Sequence, residues 1–313
     1  MKSFLTSVVL FLTLLVPITA NAQTIGLSMS ELDPWLTLLK NGVTDAAKRA
    51  GVSVVLENAH NDKDRQINQI EKLIAQRVDA LIVLAADTNS TPKITSMVTN
   101  AKIPLVYVNR KPSDFVHLPS NVVLVGSDEK VSGKLEAQEL CRLMNGRGNI
   151  LILMGNLNHE AARTRTSDID EVLATSPCNG IRVVDKRIGY WDRQRAKTIT
   201  TNILNASKVN GKKLDAIIAN NDEMALGAIA ALKEAHLWTS EFVVAGIDAT
   251  PDALASMKAG DLKVTVFQNA AGQGSSAIDT ALMLIKKQAV SRFVDVPFEL
   301  VTPANLPQYL GKN

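Results

Sequence analysis

From Thr24 onward, short apolar runs alternate with longer stretches in which apolar residues recur every three or four positions. The short runs read as strands at Thr24–Met29, Val52–Leu56, Ala80–Leu84, Pro104–Val108 and Val122–Val125. They continue at Asn149–Met154, Ile181–Lys186, Leu214–Ala219, Phe242–Ile247 and Lys263–Phe267. The intervening stretches, among them Asp62–Gln76 and Lys130–Met144, carry apolar residues at helical spacing. Pro34 suits the first turn of a helix, with Asp33 as its N-cap. Strand–helix alternation predicts βαβ units and parallel sheets, hence an α/β fold. About ten strands exceed what one compact sheet uses at this length, so two similar α/β domains are expected. No solenoid-period repeat and no low-complexity segment interrupts the pattern.

The first residues follow another rule. Lys2 gives a positive start, Val8 to Val16 is apolar, and Ala20-Asn21-Ala22 has the small-residue form of a cleavage site. The apolar run is short for a membrane helix, which makes an anchor the weaker alternative. Cleavage after Ala22, a mature chain from Gln23 and a location free in the periplasm are the expectation. No lipobox cysteine stands at the cleavage point, and no later stretch is long and uncharged enough to span a bilayer.

Composition then narrows the function. Lys and Arg number 34 against 31 Asp and Glu, a net charge of +3 spread over 313 residues. The basic residues are scattered, which argues against nucleic acid as a partner. Two cysteines, Cys141 and Cys178, do not make a disulfide-built scaffold. Export permits a bridge between them, and two separate buried thiols are the alternative. His60, His117, His159 and His236 have no metal-ligand spacing, and no cofactor is nominated. Gly272-Gln273-Gly274-Ser275-Ser276-Ala277 formally matches G-x-G-x-x-A but lacks a complete dinucleotide-binding unit around it; a glycine-eased helix start fits better. No nucleophile is paired with a base, so an enzyme is not expected.

The chemistry gathers where strands end. Leu214 to Ala219 runs into Asn221-Asp222-Glu223-Met224-Ala225-Leu226-Gly227-Ala228, which opens a helix. The next strand runs into Gly246-Ile247-Asp248-Ala249-Thr250-Pro251, and Val264 to Gln268 ends a third strand in an amide. Open α/β sheets bind ligands at such carboxyl ends. These segments resemble the cleft of the periplasmic ribose- and galactose-binding protein family, and the resemblance covers essentially the whole mature chain. Ile103 to Arg110 adds the family's strand-end pair, Asn109 and Arg110. Arg110 offers planar paired donors and Asn109 one group of each kind, which suits vicinal hydroxyls, although Asn-Arg-Lys-Pro is also a turn pattern. Asp33 and Trp35 fall where relatives hold an acceptor and an aromatic lying against a sugar face, a helix cap and a core Trp being the plainer reading. Trp191 resembles the aromatic of the opposite domain. In His159-Glu160-Ala161-Ala162-Arg163-Thr164-Arg165, the family's sugar-binding arginine maps onto Arg165 and not Arg163. His159 resembles a histidine of galactose binders. Asp248 and Gln268 complete the set.

Two departures matter. Leu84 stands where ribose binders have an Asn, and Leu36 replaces a second aromatic, which puts ribose itself in doubt. The remaining motifs look most like the inositol-binding branch. The calcium loop of galactose binders is absent, and no metal is implied. The resemblance implies two doubly wound parallel-sheet domains joined by a three-strand hinge, the type I periplasmic binding protein fold. It places crossings near Gly126-Ser127-Asp128, Asn269 and Phe298. The domains would be residues 23–126 with 269–297, and 127–268 with 298–313. It further implies a monomeric binding subunit of an ABC importer that hands a sugar or cyclic polyol, myo-inositol first, to an inner-membrane permease. A periplasmic protein presenting its ligand to a chemoreceptor or sensor kinase is the runner-up, together with a binder of ribose, galactose or another monosaccharide. An exported sugar-modifying enzyme is a third reading. A transcription regulator of this fold would need a DNA-binding headpiece where this chain has an export signal.

Overall fold

Strand residues sort by parity onto opposite faces of their sheets, and that sorting builds the molecule. The computed structural model describes residues 23–210 and 213–313. The export signal with its cleavage after Ala22 lies outside the described residues. The first half contains β1 (Thr24–Met29), α1 (Pro34–Ala50), β2 (Ser53–Asn58), α2 (Lys63–Ala75), β3 (Ala80–Val83), α3 (Thr91–Asn100), β4 (Leu105–Val108) and β5 (Val122–Gly126). Next come α4 (Glu129–Leu143), β6 (Arg147–Met154), α5 (Glu160–Leu173), β7 (Gly180–Ile188), α6 (Arg193–Asn210), β8 (Ala216–Ala219), α7 (Asp222–Glu234), β9 (Val243–Ala245) and α8 (Pro251–Lys258). The chain closes with β10 (Thr265–Phe267), α9 (Ala270–Ile285), β11 (Phe293–Asp295) and β12 (Glu299–Val301).

The first sheet has the order β2-β1-β3-β4-β5-β11 and the second the order β7-β6-β8-β9, both parallel throughout. In β3, Ile82 packs toward α1 and α9, while Leu81 and Val83 pack toward α2 and α3. Val106 and Val108 likewise part from Leu105 and Tyr107 in β4. Successive side chains of a strand point to opposite faces, so continuous apolar runs need helices on both. The second sheet repeats this: Leu151, Leu153 and Ile217 face α6 and α7, and Ile150, Ile152 and Ile218 face α4 and α5. Cys141 on α4 and Cys178 before β7 lie in the latter layer and are joined as a disulfide, their Cα atoms 5.6 Å apart.

Helix starts follow their caps. Asp33 accepts from the Leu36 amide at 2.7 Å with Pro34 behind it, and Asp62 and Asp128 cap α2 and α4 the same way. The Gly272–Gly274 segment lies in the first turns of α9, and a Cβ at Gly274 would collide with backbone atoms of Gly42 and Val43. Close α1–α9 packing accounts for that glycine.

The chain passes between the two sheet systems after β5, after β10 and between β11 and β12. Ser127 ties the first passage to the third: its Oγ donates to the Val296 carbonyl at 2.6 Å and accepts from Gln273 Nε2 at 3.0 Å. β10 and β12 pair antiparallel as a separate two-stranded sheet. β11 and β12 were not among the expected strands. Each is three residues long and is defined by docking on β5 or β10 rather than by its own pattern. Expected strands at Leu214 and Phe242 begin two and one residues later, and the Phe242 strand ends at Ala245 rather than Ile247. Positive φ at Asp248 (128°) and Ala249 (51°) turns the chain soon after that end.

Candidate functional site

All ten residues singled out in the sequence line one cavity. Asp33, Trp35, Asn109, Arg110, His159, Arg165, Trp191, Asn221, Asp248 and Gln268 surround it, with Leu36 and Ala161 filling the wall. Each belongs to a segment that follows a strand: β1, β4, β6, β7, β8, β9 or β10. The cavity therefore sits at the carboxyl ends of both sheets, where helix caps and strand-end turns bring polar groups together.

The wall from the first sheet keeps much of its hydrogen-bonding capacity free. One Asp33 oxygen caps α1, and burial, opposed by the Leu36 amide and aided by Glu31, raises this carboxyl to about 6. Trp35 is buried and its Nε1–H donates to the Gln268 carbonyl at 3.1 Å, fixing the indole across the second crossing. Asn109 adopts φ 65°, a region asparagine tolerates, and its amide donates to Gln273 at 3.3 Å. Arg110 is buried, donates through Nη1 to the Ala85 carbonyl at 2.7 Å, and has Glu31 3.9 Å from Nη2. Burial lowers its pKa to about 10, which leaves it charged at neutral pH.

The opposite wall is braced from behind. Arg165 Nε and Nη2 grip Glu129 at 2.7 and 3.0 Å, Nη1 donates to the Asn220 carbonyl at 2.8 Å, and Nη2 reaches Gln268 Oε1 at 3.5 Å. Four of its five N–H donors are thus committed within the protein. Arg163 is exposed. His159 Nδ1 accepts from Trp191 Nε1–H at 3.0 Å, with the rings 11° from parallel. Burial, then Arg110, pushes this imidazole down to about 2, so it is neutral and carries its proton on Nε2. That buried Nε2 makes no hydrogen bond of full geometry among the described residues, although the Ala86 backbone lies near enough to the ring to oppose the downward shift. Trp191, at φ 68°, lays its ring over Gly155, where a Cβ would collide with the indole.

Asn221 caps α7 through Oδ1 and donates from Nδ2 to the Trp191 carbonyl at 3.3 Å. Asp248 is almost fully buried, and burial, reinforced by Asp222, raises its carboxyl well above the usual range. Asp222 itself serves the fold, accepting from the Thr250 amide and Thr265 Oγ1. Gln268 keeps Nε2 unpartnered and buried.

Sequence reading missed Glu129 and Gly155. A first-turn glutamate looks like an ordinary helix-dipole residue, and a glycine after a strand looks like an ordinary turn. The set offers carboxyl acceptors, guanidinium, amide and imidazole donors, and two indoles. Such groups can hydrogen-bond hydroxyls and pack against C–H faces. Among the described residues no group of His, Cys, Asp and Glu is arranged to hold a metal ion, and no helix is long and apolar enough to cross a membrane. A larger depression, about 790 Å3, opens at the amino-terminal ends of β6, β8 and β9, away from these groups.

The model of the periplasmic binding protein domain matches residues 25–289. A Rhizobium meliloti protein bearing the name of a rhizopine-binding protein is 47% identical over 315 residues, covering 100% of both chains. An ABC transporter solute binding protein from Bacillus halodurans, solved with bound myo-inositol, is 38% identical at a TM-score of 0.86, covering 93% of this chain and 98% of the other. A Caulobacter myo-inositol binding protein bound to myo-inositol is 25% identical at a TM-score of 0.85, covering 96% of this chain and 100% of the other. The chain therefore belongs to the periplasmic binding protein domain family, with the type I α/β fold, in the ribose- and galactose-binding-like class of ABC-transporter solute-binding proteins for sugars and polyols, which bind their solute without transforming it.

Proposed function

We propose that the cavity takes a cyclic polyol, myo-inositol first, and that the protein delivers it as a monomer to an ABC permease in the inner membrane. The observation that carries this reading is the convergence of all ten polar and aromatic side chains on one cavity. A ring with a hydroxyl on every carbon needs donors and acceptors around its whole edge and flat apolar surfaces for its C–H faces. The two similar structures that hold myo-inositol support the choice. Arg110, Asn109 and Asp33 grip the hydroxyls from one side with Trp35 beneath. Asp248, Asn221, Gln268, the His159 Nε2–H and the remaining donor of Arg165 meet them from the other, beside Trp191. Residues 23–126 with 269–297 form one domain and 127–268 with 298–313 the other. The domains bend about the three crossings, and ligand favours the closed form because it touches both walls only there. Export with cleavage after Ala22 places the mature chain in the periplasm.

A second reading, rhizopine as the solute, is favoured by the full-length relative at 47% identity. Presentation of the same ligand to a chemoreceptor would use the same cavity, and genomic neighbours separate that role from import. The test is a thermal-shift screen of the ligand-stripped mature protein against myo-inositol, its epimers, rhizopine, ribose, galactose, glucose, xylose and allose. A ligand that binds the native state alone raises the melting temperature with concentration. Selective response to myo-inositol supports the proposal, response to rhizopine alone selects the second reading, and silence across the panel rejects both.

A further inference from the structure

The residues after β12 return to the site. Leu306 and Tyr309 join the buried core that contains Phe267, with the Tyr309 and Phe267 rings 5.3 Å apart. This packing carries Asn313 to the back of the cavity. Its Nδ2 donates to the Asp248 carbonyl at 3.0 Å and to the Gln268 carbonyl at 3.1 Å. Its Oδ1 accepts from the Ala270 amide at 3.0 Å, the first residue of α9. One side-chain amide thus joins the strand end that carries Asp248, the crossing that carries Gln268, and the helix that packs on the first sheet.

We propose that Asn313 is a positioning residue for the ligand cavity, setting where the side chains of Asp248 and Gln268 stand. This rests on the reading of that cavity as the solute site. Asp248 holds φ 128°, a backbone region that side-chain-bearing residues rarely occupy and that persists only where its surroundings enforce it. The enforcing bonds are few. The Asp248 amide donates to the Val266 carbonyl at 2.8 Å, and its carbonyl accepts from the Gln268 amide at 3.3 Å and from Asn313. The Asn313 bond is the shorter of the two at that carbonyl. The Gln268 carbonyl has a matching pair of donors, Trp35 Nε1–H and Asn313 Nδ2–H. Removing Asn313 leaves the Asp248 backbone to relax and the Gln268 carbonyl to be held by Trp35 alone. Two polar groups of one wall and the indole of the other then shift together, although Asn313 does not line the cavity.

Two variants separate the parts of this contact. Asn313→Ala removes all three bonds. Asn313→Asp keeps an acceptor for the Ala270 amide but loses the donors to both carbonyls and sets a negative charge against them. Positioning predicts that each variant weakens myo-inositol binding about tenfold, the scale of one or two lost buried hydrogen bonds. Ligand-free melting temperatures should fall in both variants, and the ligand-induced rise in melting temperature should shrink as well. In ligand-free protein with labelled tryptophans, the Trp35 indole N–H resonance should move in both variants while that of Trp238 stays.

An Asn313→Asp protein that binds like the parent would overturn the proposal, because the carbonyl contacts would then not matter. So would equal loss of melting temperature with and without ligand at unchanged affinity. If the parent does not bind myo-inositol, the solute reading fails separately. The Trp35 resonance then decides alone: an unmoved signal overturns the positioning of Gln268.

Discussion

Arg110 and Arg165 face the same cavity from opposite walls, both buried, and they are held in different ways. Arg110 has one hydrogen bond, to the Ala85 carbonyl, and a carboxylate at 3.9 Å. Arg165 has a two-pronged partner in Glu129, a strand-end carbonyl and the Gln268 side-chain amide. The first is a group waiting for a partner, and the second is a strut that happens to reach the cavity. Residue type and strand-end position are shared between them; the count of donors already spent tells them apart. The same distinction divides the walls more broadly. Asp33, Asn109 and Arg110 keep free lone pairs or N–H groups, whereas His159, Arg165 and Asn221 are oriented by Trp191, Glu129 and the α7 backbone. Asp248 crosses the divide, buried on the braced wall with its carboxyl uncommitted to its neighbours.

The largest effect should come from breaking the strut. Glu129→Ala leaves the Arg165 guanidinium buried without its counter-charge, a change expected to cost about 3–5 kcal/mol of folding stability in urea denaturation. Pairing it with Arg165→Met should recover much of that loss. If Glu129→Ala melts like the parent, Arg165 is not held as described. Arg110→Met should do the reverse. It should weaken binding by about 1–3 kcal/mol, because a hydroxyl loses its charged partner, while stability in the absence of ligand holds. Equal behaviour of Arg110→Met and Arg165→Met in both measurements would erase the comparison.

The third test uses acidity. Folded, His159 stays neutral down to about 2; unfolded, it takes a proton near 6.5. Folding therefore excludes a proton between those values, so this group's contribution is complete above 6.5 and is lost as pH falls below it. Half-buried Asp33 and buried Asp222, both raised to about 6, act with the opposite sign, since the folded state holds their protons more tightly. They are common to parent and variant and cancel in a difference. Stability of His159→Gln relative to parent should therefore improve by about 1 kcal/mol between neutral pH and pH 5.5. A difference that does not vary with pH would mean His159 protonates in place. The smallest effect belongs to exposed Arg163, where Arg163→Ala should change binding and stability by less than about 0.5 kcal/mol.

These contrasts also mark what the chain discloses before it folds. The strands and the helix cap at Asp33 were legible because apolar runs and capping residues act locally. The ten cavity residues were legible because a polar residue closing an apolar run sits at a strand's carboxyl end, and the family resemblance supplied which of them to choose. β11 and β12 were not, because three-residue strands owe their existence to their partners. Pairing of Cys141 with Cys178 depends on α4 and the turn before β7 meeting on one face of the second sheet, 37 positions apart in sequence. Glu129 and Asn313 stayed hidden for a similar reason. Neither belongs to a pattern, and each acquires its meaning from groups far along the chain, Arg165 in one case and Asp248 with Gln268 in the other.

The cavity between the two sheets is proposed as the solute site. Titration calorimetry of myo-inositol into the ligand-stripped parent and into Asp248→Ala tests it most directly. The expected result is one site per chain with a dissociation constant on the order of micromolar, about −8 kcal/mol, and at least about tenfold weaker binding in the variant. Binding of equal strength in both proteins would contradict it and move the site elsewhere.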